Sequence, residues 1–349
     1  MSISTFGKPI AARRGDTASM AKARVEWVDY AKGICIILVV LMHSTLGVEK
    51  AAAQVTWLNG FIEWARPFRM PDFFLISGLF LAQRIDRPWR EFLDSKVLHF
   101  VYFYLVWMTI LFFAKSGILT GRTGLAEGFA IWASGFIAPN DAVWFIYMLP
   151  VFMAAIKLLR PVPPILVFAV GAALESLHVQ THWLVIDEFA ARFVYVFAGY
   201  WLSAHIFSFS RFVGCQPLSS VLAGFAAWAL VNTVAVSGGY ASQPGISLAL
   251  GFLGACAVVT AGVLLSKTSL AEALRYCGEN SIIIYLAFSL FMSATRITLL
   301  RLGQPADMAL VSLICTAAGI IGPLMLYWAL RGTPMKFLFM RPAWARLPS

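Results

Sequence analysis

Five of the 27 Lys and Arg side chains fall inside apolar stretches of this sequence, namely Lys32, Arg66, Arg69, Arg192 and Arg296. A cation in hydrocarbon is costly unless it is paired, solvated or bound to a ligand. Arg66 and Arg69 are one helical turn apart, so their forked guanidinium groups can face one anion, and such donors suit phosphate. These residues predict an anion-binding site inside an apolar protein.

A structural alternative exists for both arginines. Glu63 lies three residues before Arg66, and Asp72 lies three residues after Arg69. Residues at this spacing are neighbours on a helix surface, so each arginine could form an ion pair with one carboxylate. In that case the charges would stabilise the helix and bind no ligand.

His43 is the only histidine in a firmly apolar part of the sequence, since the other four lie at segment ends. Its imidazole has an ordinary pKa near 6.5 and can remove a proton from a hydroxyl at neutral pH, which predicts a general base. A histidine that merely hydrogen-bonds a neighbouring helix is the alternative. Along their helices His43 and Arg66 differ in depth by roughly 10 Å, so an elongated anion from the cytoplasm could touch both.

Asp29 and Lys32 form an i, i+3 pair at the inner end of the first apolar segment. A surface pair whose lysine extends to the interface is the ordinary explanation of such a pair. The pair could also order a cytoplasmic entrance for the anionic ligand.

The elements that carry these residues are predicted to be membrane helices. The chain has 349 residues, is 60% hydrophobic and only 13% charged, which indicates a polytopic membrane protein with an all-α fold. Reading apolar windows of helical length predicts about ten transmembrane helices, centred near residues 37, 70, 106, 150, 170, 194, 227, 256, 289 and 320. Pro67 and Pro71 should kink or break the second one.

Charge bias orients the helices. Of the cations outside the apolar stretches, 18 lie in one set of loops and 4 in the other, so the positive-inside rule places both termini in the cytoplasm. We expect a cytoplasmic tail at residues 1–24, one membrane domain at 25–331 and a second cytoplasmic tail at 332–349. The basic residues form no run, which argues against nucleic acid, and the five cysteines lack CxxC or metal-ligand spacing.

Two blocks of the sequence resemble the acyltransferase-3 family of membrane O-acyltransferases, which has a ten-helix domain. They are residues 24–34, RVEWVDYAKGI, followed by an apolar run to His43, and residues 66–78, RPFRMPDFFLISG. Weaker similarities are residues 143–147 (VWFIY), 197–200 (FAGY) and 278–286 (GENSIIIYL). Lys32 stands where many members have Arg, and Phe288 where many have a second histidine.

The resemblance implies that His43 is catalytic and that Arg66 and Arg69 handle acyl-CoA, with acetyl-CoA as the usual donor. We place Asp29 and Lys32 with these donor-binding residues and expect no metal. His43 would act as general base or as a transient acyl carrier, and the acceptor would be a hydroxyl of an envelope glycan or a similar lipid-linked molecule. The expected location is the cytoplasmic (inner) membrane, in contact with lipid.

Two other functions fit some of these features. A secondary transporter or flippase for an anionic solute also places arginines and a proline-broken helix at mid-membrane. A membrane scaffold whose buried charges pair only with one another would need no catalytic histidine.

Overall fold

The computed structural model describes residues 25–115, 124–139, 141–268, 271–303 and 307–347. The regular structure in these ranges is entirely helical, with short 3₁₀ turns besides the longer helices. The longer helices are α1 (Glu26–Ala52), α2 (Leu58–Gly78), α3 (Trp89–Lys115), α4 (Leu125–Ser134), α5 (Trp144–Leu158), α6 (Pro164–Ser176), α7 (Leu184–Trp201), α8 (Ser203–Cys215), α9 (Leu218–Ser237), α10 (Ile246–Leu265), α11 (Glu272–Glu279), α12 (Ser281–Arg301) and α13 (Met308–Leu330). The predicted all-α class is confirmed for the described part of the chain.

These helices are those of a multi-pass membrane protein. Six of the described helices are long and apolar enough to cross a bilayer, and a seventh span results if α7 and α8, bent by 73° at their junction, count as one. Helices α5 and α6 are apolar but shorter. Each of the ten predicted segment centres lies in a helix. The number of ten crossings and the cytoplasmic location of both ends remain predictions.

The last described residues lie against α3. Tyr102 Oη donates to the Phe337 carbonyl at 3.0 Å, Trp107 Nε1 donates to the Leu338 carbonyl at 2.8 Å, and Arg341 Nη1 donates to the Asp94 carbonyl at 2.6 Å. The predicted tail at 332–349 is therefore packed on the bundle as far as residue 347. The predicted N-terminal tail, residues 1–24, lies outside the described residues, and the division into one domain and two tails remains a prediction.

Helix α1 lies at the centre of the bundle, where α2, α10, α11, α12 and α13 pack against it. Its end is tied to the start of α2 by one carboxylate. Glu49 Oε1 accepts from Thr56 N at 2.7 Å and from Thr56 Oγ1 at 2.9 Å, and Glu49 Oε2 accepts from Asn59 Nδ2 at 2.8 Å. This network satisfies backbone and side-chain donors of the connection and sets the position of α2 beside α1.

Helix α2 runs without interruption from Leu58 to Gly78, although Pro67 and Pro71 lie inside it. Each proline removes one backbone donor and would weaken an isolated helix. Packing of α2 against α1, α7 and α10 compensates for this loss. The RPFR block therefore remains helical, and both of its arginines keep helical spacing.

The close approach of α2 and α7 depends on two glycines that face each other. A Cβ at Gly199 would collide with the Leu75 carbonyl oxygen, and a Cβ at Gly78 would collide with the Val196 carbonyl oxygen. Small residues at such crossings let helix backbones approach closely inside membranes. The position of α2, which carries the arginines, therefore depends on Gly78 and Gly199.

Replacing Gly199 by Ala should destabilise the protein by about 1–3 kcal/mol, the usual range for overpacking, because the rigid backbone of α2 cannot yield. Thermal unfolding of the purified protein in detergent measures the effect as a lower Tm. The matched control is Gly224→Ala in α9, where an added Cβ would meet no atom within 4 Å, and its Tm should be equal or higher. Equal Tm values for both variants would contradict the close contact.

Candidate active site

His43 lies on α1 and is half-buried. Its ring centroid is 5.3 Å from that of Phe288, a fully buried residue of α12. One residue further along α1, Ser44 Oγ donates to the Ser312 carbonyl of α13 at 2.6 Å. The imidazole therefore lies where α1, α12 and α13 meet. The ring beside it belongs to Phe288, at the position where many members of the resembled family have a second histidine.

Arg69 is buried, with 7% of its surface exposed. Its Nη1 donates to the carbonyl of Ile62 at 3.2 Å, and its Nε has no hydrogen-bond partner among the described residues. Ile62 belongs to a small apolar cluster that includes Leu41 and Met42, the two residues before His43. The guanidinium of Arg69 is thus at the level of His43 along the bundle, and no carboxylate of the described chain forms an ion pair with it.

Asp72 does not neutralise Arg69. It is 1% exposed, and neither carboxylate oxygen has a hydrogen-bond partner among the described residues. Helical side chains lean toward the N-terminus, so Arg69 reaches back toward Ile62 and away from Asp72, which lies one turn further on. The alternative in which Arg69 pairs with Asp72 is therefore wrong for this structure.

Arg66 does form the ion pair considered from the sequence. Its Nη1 is 3.2 Å from Glu63 Oε2, and both side chains are substantially exposed. Arg66 lines an open cavity of about 330 Å³ together with Arg192 and Glu175, and residues of the α6–α7 and α9–α10 connections form part of its wall. These connections lie at the end of the bundle where α1 ends. The cavity lining does not include Arg69 or His43.

The three arginines differ in their partners. Arg66 and Arg192 line the same cavity, whereas Arg69 does not. Arg192 Nε is 3.2 Å from Glu188 Oε2, so Arg66 and Arg192 each have a carboxylate partner. Arg69 is the member of this group without one, which makes it the arginine best suited to an incoming anion.

Asp29 and Lys32 lie at the opposite end of α1. Lys32 Nζ is 3.8 Å from Asp29 Oδ1 and 5.9 Å from the centroid of the Phe80 ring. Lys32 is 11 residues before His43, which corresponds to about 16 Å along a helix. The structure therefore does not bring Lys32 and Asp29 to the histidine; it places the two groups at separate levels of one helix.

Sequence reasoning missed the burial of Glu175 and Lys157. Glu175 is 6% exposed and accepts from Tyr195 Oη and Ser247 Oγ, both at 3.2 Å. Lys157, 8% exposed, donates to the carbonyls of Ile85 and Arg87 at 2.8 and 2.7 Å. Both lie near the ends of apolar helices, where a charge ordinarily indicates a boundary. Their partners are distant in sequence, so only the fold reveals the contacts.

The described residues contain no group of three or more His, Cys, Asp and Glu side chains that could hold a metal ion. All five cysteines are free thiols. The two functional groups that the fold places at one level are the imidazole of His43 and the buried guanidinium of Arg69.

Replacing Asp72 by Asn should leave the Tm unchanged or raise it, because the change removes a buried acid that has no partner and keeps its shape. Thermal unfolding in detergent measures the effect, with Glu49→Gln as control. Glu49 accepts three hydrogen bonds in the α1–α2 connection, so that variant should lower the Tm. A large loss of stability in Asp72→Asn would show that Asp72 pairs with Arg69 after all.

Comparison with known proteins places this bundle in a family. The sequence model of the acyltransferase-3 family, described as an acyltransferase domain, matches residues 25–328. The chain is similar to the inner membrane protein YcfT of Escherichia coli strain K12, with 25% identity over 213 residues that cover 53% of this chain and 58% of that protein. The match thus spans less than two thirds of that relative, and no solved structure matches the chain. The chain belongs to the acyltransferase-3 family of membrane proteins.

Proposed function

We propose that this protein is an inner-membrane O-acyltransferase. It transfers an acyl group, acetyl being the expected one, from cytoplasmic acyl-CoA to a hydroxyl of an envelope glycan or a similar lipid-linked acceptor. Family membership supports acyl transfer as the class of reaction, and the name of the E. coli relative supports the inner membrane as the location. The observation that carries the proposal is a buried, carboxylate-free guanidinium at the level of a half-buried histidine.

In the proposed mechanism His43 is the general base. It takes the proton of the acceptor hydroxyl as the hydroxyl oxygen attacks the thioester carbonyl, and it returns this proton to the departing CoA sulfur. The acyl–oxygen bond forms and the acyl–sulfur bond breaks, so the products are an ester and free CoA. In the alternative, His43 itself carries the acyl group between donor and acceptor.

Arg69 supplies the positive charge that binds the acyl donor. Its Nε and remaining N–H groups can bind an anionic or carbonyl oxygen of the donor in a water-poor site, where such interactions are strong. Arg66 is already paired with Glu63 and is exposed in the cavity, so we assign it a weaker role in donor binding. Asp29 and Lys32 contribute at the other end of α1, at the expected cytoplasmic entrance.

Replacing His43 by Gln should reduce acyl transfer by about 100-fold or more, the usual contribution of a general base, while the protein remains folded in the membrane. Release of free CoA thiol from acetyl-CoA by protein in liposomes measures the rate. Comparing acyl masses of envelope glycans in cells with wild-type protein or His43→Gln tests the acceptor class. Solute transport with CoA left intact would establish the transporter alternative instead.

Arg69→Gln and Arg66→Gln should differ in effect. Arg69→Gln should lower kcat/KM for acetyl-CoA by about 100-fold, because a buried charged contact to the substrate is lost. Arg66→Gln should cost less than about tenfold, because an exposed ion pair contributes little. Steady-state kinetics over a range of acetyl-CoA concentrations measures both. A fully active Arg69→Gln variant would reject its proposed role.

A further inference from the structure

The cavity that Arg66 lines lies between α2, α6, α7, α9 and α10, at the end of the bundle where α1 ends. Its volume of about 330 Å³ is within the range of ligand pockets, ~300–1,000 Å³. The acidic and guanidinium side chains in its lining are Glu63, Arg66, Glu175 and Arg192. By contrast, the cavity between α8, α9 and α10 is lined mainly by apolar side chains. The charged lining indicates a ligand that itself carries polar or charged groups.

Glu175 is the carboxylate of this lining without a cationic partner among the described residues. Glu63 pairs with Arg66, and Arg192 pairs with Glu188, both at 3.2 Å. Glu175 is 6% exposed and accepts only from two hydroxyl groups of the described chain. Hydroxyl groups supply no positive charge, and a buried carboxylate without a cation is costly. A positively charged group in the cavity would offset this cost.

Three helices hold the carboxylate of Glu175 in place. Tyr195 of α7 donates to Glu175 Oε1, and Ser247 at the start of α10 donates to Glu175 Oε2, both at 3.2 Å. The Tyr195 hydroxyl lies against Gly251, where an added Cβ would be 2.5 Å from Oη. Each carboxylate oxygen thus has one fixed donor and can accept a further hydrogen bond. The carboxylate is therefore preorganised for a donor that enters through the cavity.

Arg192 places hydrogen-bond donors beside this carboxylate. It lies one helical turn before Tyr195 on α7, and Tyr195 binds Glu175, so the guanidinium and the carboxylate are neighbours in the cavity lining. Among the described residues only its Nε has a partner, Glu188, which leaves the N–H groups of both Nη atoms for a ligand. Guanidinium groups bind phosphate well. The cavity thus offers an acceptor for an ammonium group next to donors for a phosphate.

One wall of the cavity lies at the membrane interface. Its residues Gly239 and His178 belong to the connections that follow α9 and α6. The residues next to them, Tyr240 and Leu177, are 51% and 72% exposed. Helix α9 is long and apolar enough to cross a bilayer and buries only a small part of its surface in the bundle. Because tyrosine at the end of a membrane helix ordinarily lies among lipid headgroups, a headgroup can reach this cavity.

We propose that this cavity binds the headgroup of phosphatidylethanolamine, with the ammonium group at Glu175 and the phosphate at Arg192. A primary ammonium donates hydrogen bonds to a carboxylate, whereas the quaternary ammonium of phosphatidylcholine has no N–H group. A neutral sugar could use the same donors and acceptors, but it would leave the charge of Glu175 unpaired. The site is separate from the proposed acyl transfer, since the cavity lining includes neither His43 nor Arg69.

The test uses the full-length protein in nanodiscs that contain phosphatidylethanolamine, its N,N-dimethyl derivative and phosphatidylcholine, all with identical acyl chains. These lipids share the phosphate and differ in the N–H donors on nitrogen. Native mass spectrometry of the released protein measures how often each lipid remains bound. The wild-type protein should prefer phosphatidylethanolamine over phosphatidylcholine about tenfold, which corresponds to ~1.4 kcal/mol, with the dimethyl lipid between them.

Three variants locate the site. Glu175→Gln keeps the shape of the side chain but removes its charge, so the preference should fall to about twofold or less. Ser247→Ala keeps the charge and should retain the preference. Ser242 is an exposed residue of the cavity wall, so Ser242→Trp should fill the cavity without altering Glu175 and should also remove the preference. This last variant tests the site even if Glu175→Gln does not fold.

The matched control is Glu279→Gln. Glu279 is a carboxylate of α11, which packs against α1, and its Oε1 is 3.0 Å from Arg275 Nη1. It does not line the cavity, so the lipid preference should stay within about twofold of the wild-type value.

Four outcomes would overturn the proposal. The first is equal occupancy by phosphatidylethanolamine and phosphatidylcholine in the wild-type protein, and the second is a preference that Glu175→Gln leaves unchanged. The third is stronger binding of phosphatidylglycerol than of phosphatidylethanolamine, which would assign the cavity to an anion. The fourth is binding of N-acetylglucosamine that Glu175→Gln abolishes while the lipids are not discriminated, which would assign the cavity to a sugar.

Discussion

A guanidinium buried among apolar helices needs a hydrogen-bond acceptor, and the structure at the centre of the molecule depends on how Arg69 meets this requirement. Arg69 is held on α2 between α1, α7 and α10, where water is scarce and a carboxylate would be the ordinary partner. The structure gives it the carbonyl of Ile62 instead. Asp72, one turn further on, stays buried and separate because helical side chains lean toward the N-terminus. In the proposed function this charge binds an oxygen of the acyl donor.

The central helix α1 relates the two ends of the proposed reaction path. It carries Lys32 near its start and His43 three turns later, and five other helices pack against it. A rigid helix keeps the two levels at a constant separation, so a long donor can be held at one end and react at the other. The glycine contact between α2 and α7 and the Glu49 network position α2 beside it. Precise placement of Arg69 thus comes from packing distant from Arg69 itself.

Phe288 gives the site an apolar wall where many members of the family carry a second histidine. Its ring contacts the ring of His43, and Tyr285 of the same helix contacts Phe288 in turn. An apolar neighbour limits the water around the imidazole and provides no proton acceptor of its own. In this chain His43 must therefore perform the proposed proton transfer without a histidine from that position of α12.

The sequence by itself determined the helical membrane class, the family blocks and the candidate residues, because apolar length, charge spacing and short motifs are local properties. It also predicted a possible ion pair between Glu63 and Arg66, because residues three apart on one helix are neighbours. Only the tertiary structure decided that Arg66 opens into a cavity while Arg69 is buried, and that Glu175 accepts hydrogen bonds from Tyr195 and Ser247. These facts depend on which helices pack together, and the contacts that decide them join residues far apart in the chain. Helical periodicity specifies the face on which a residue lies, but it does not specify what packs against that face.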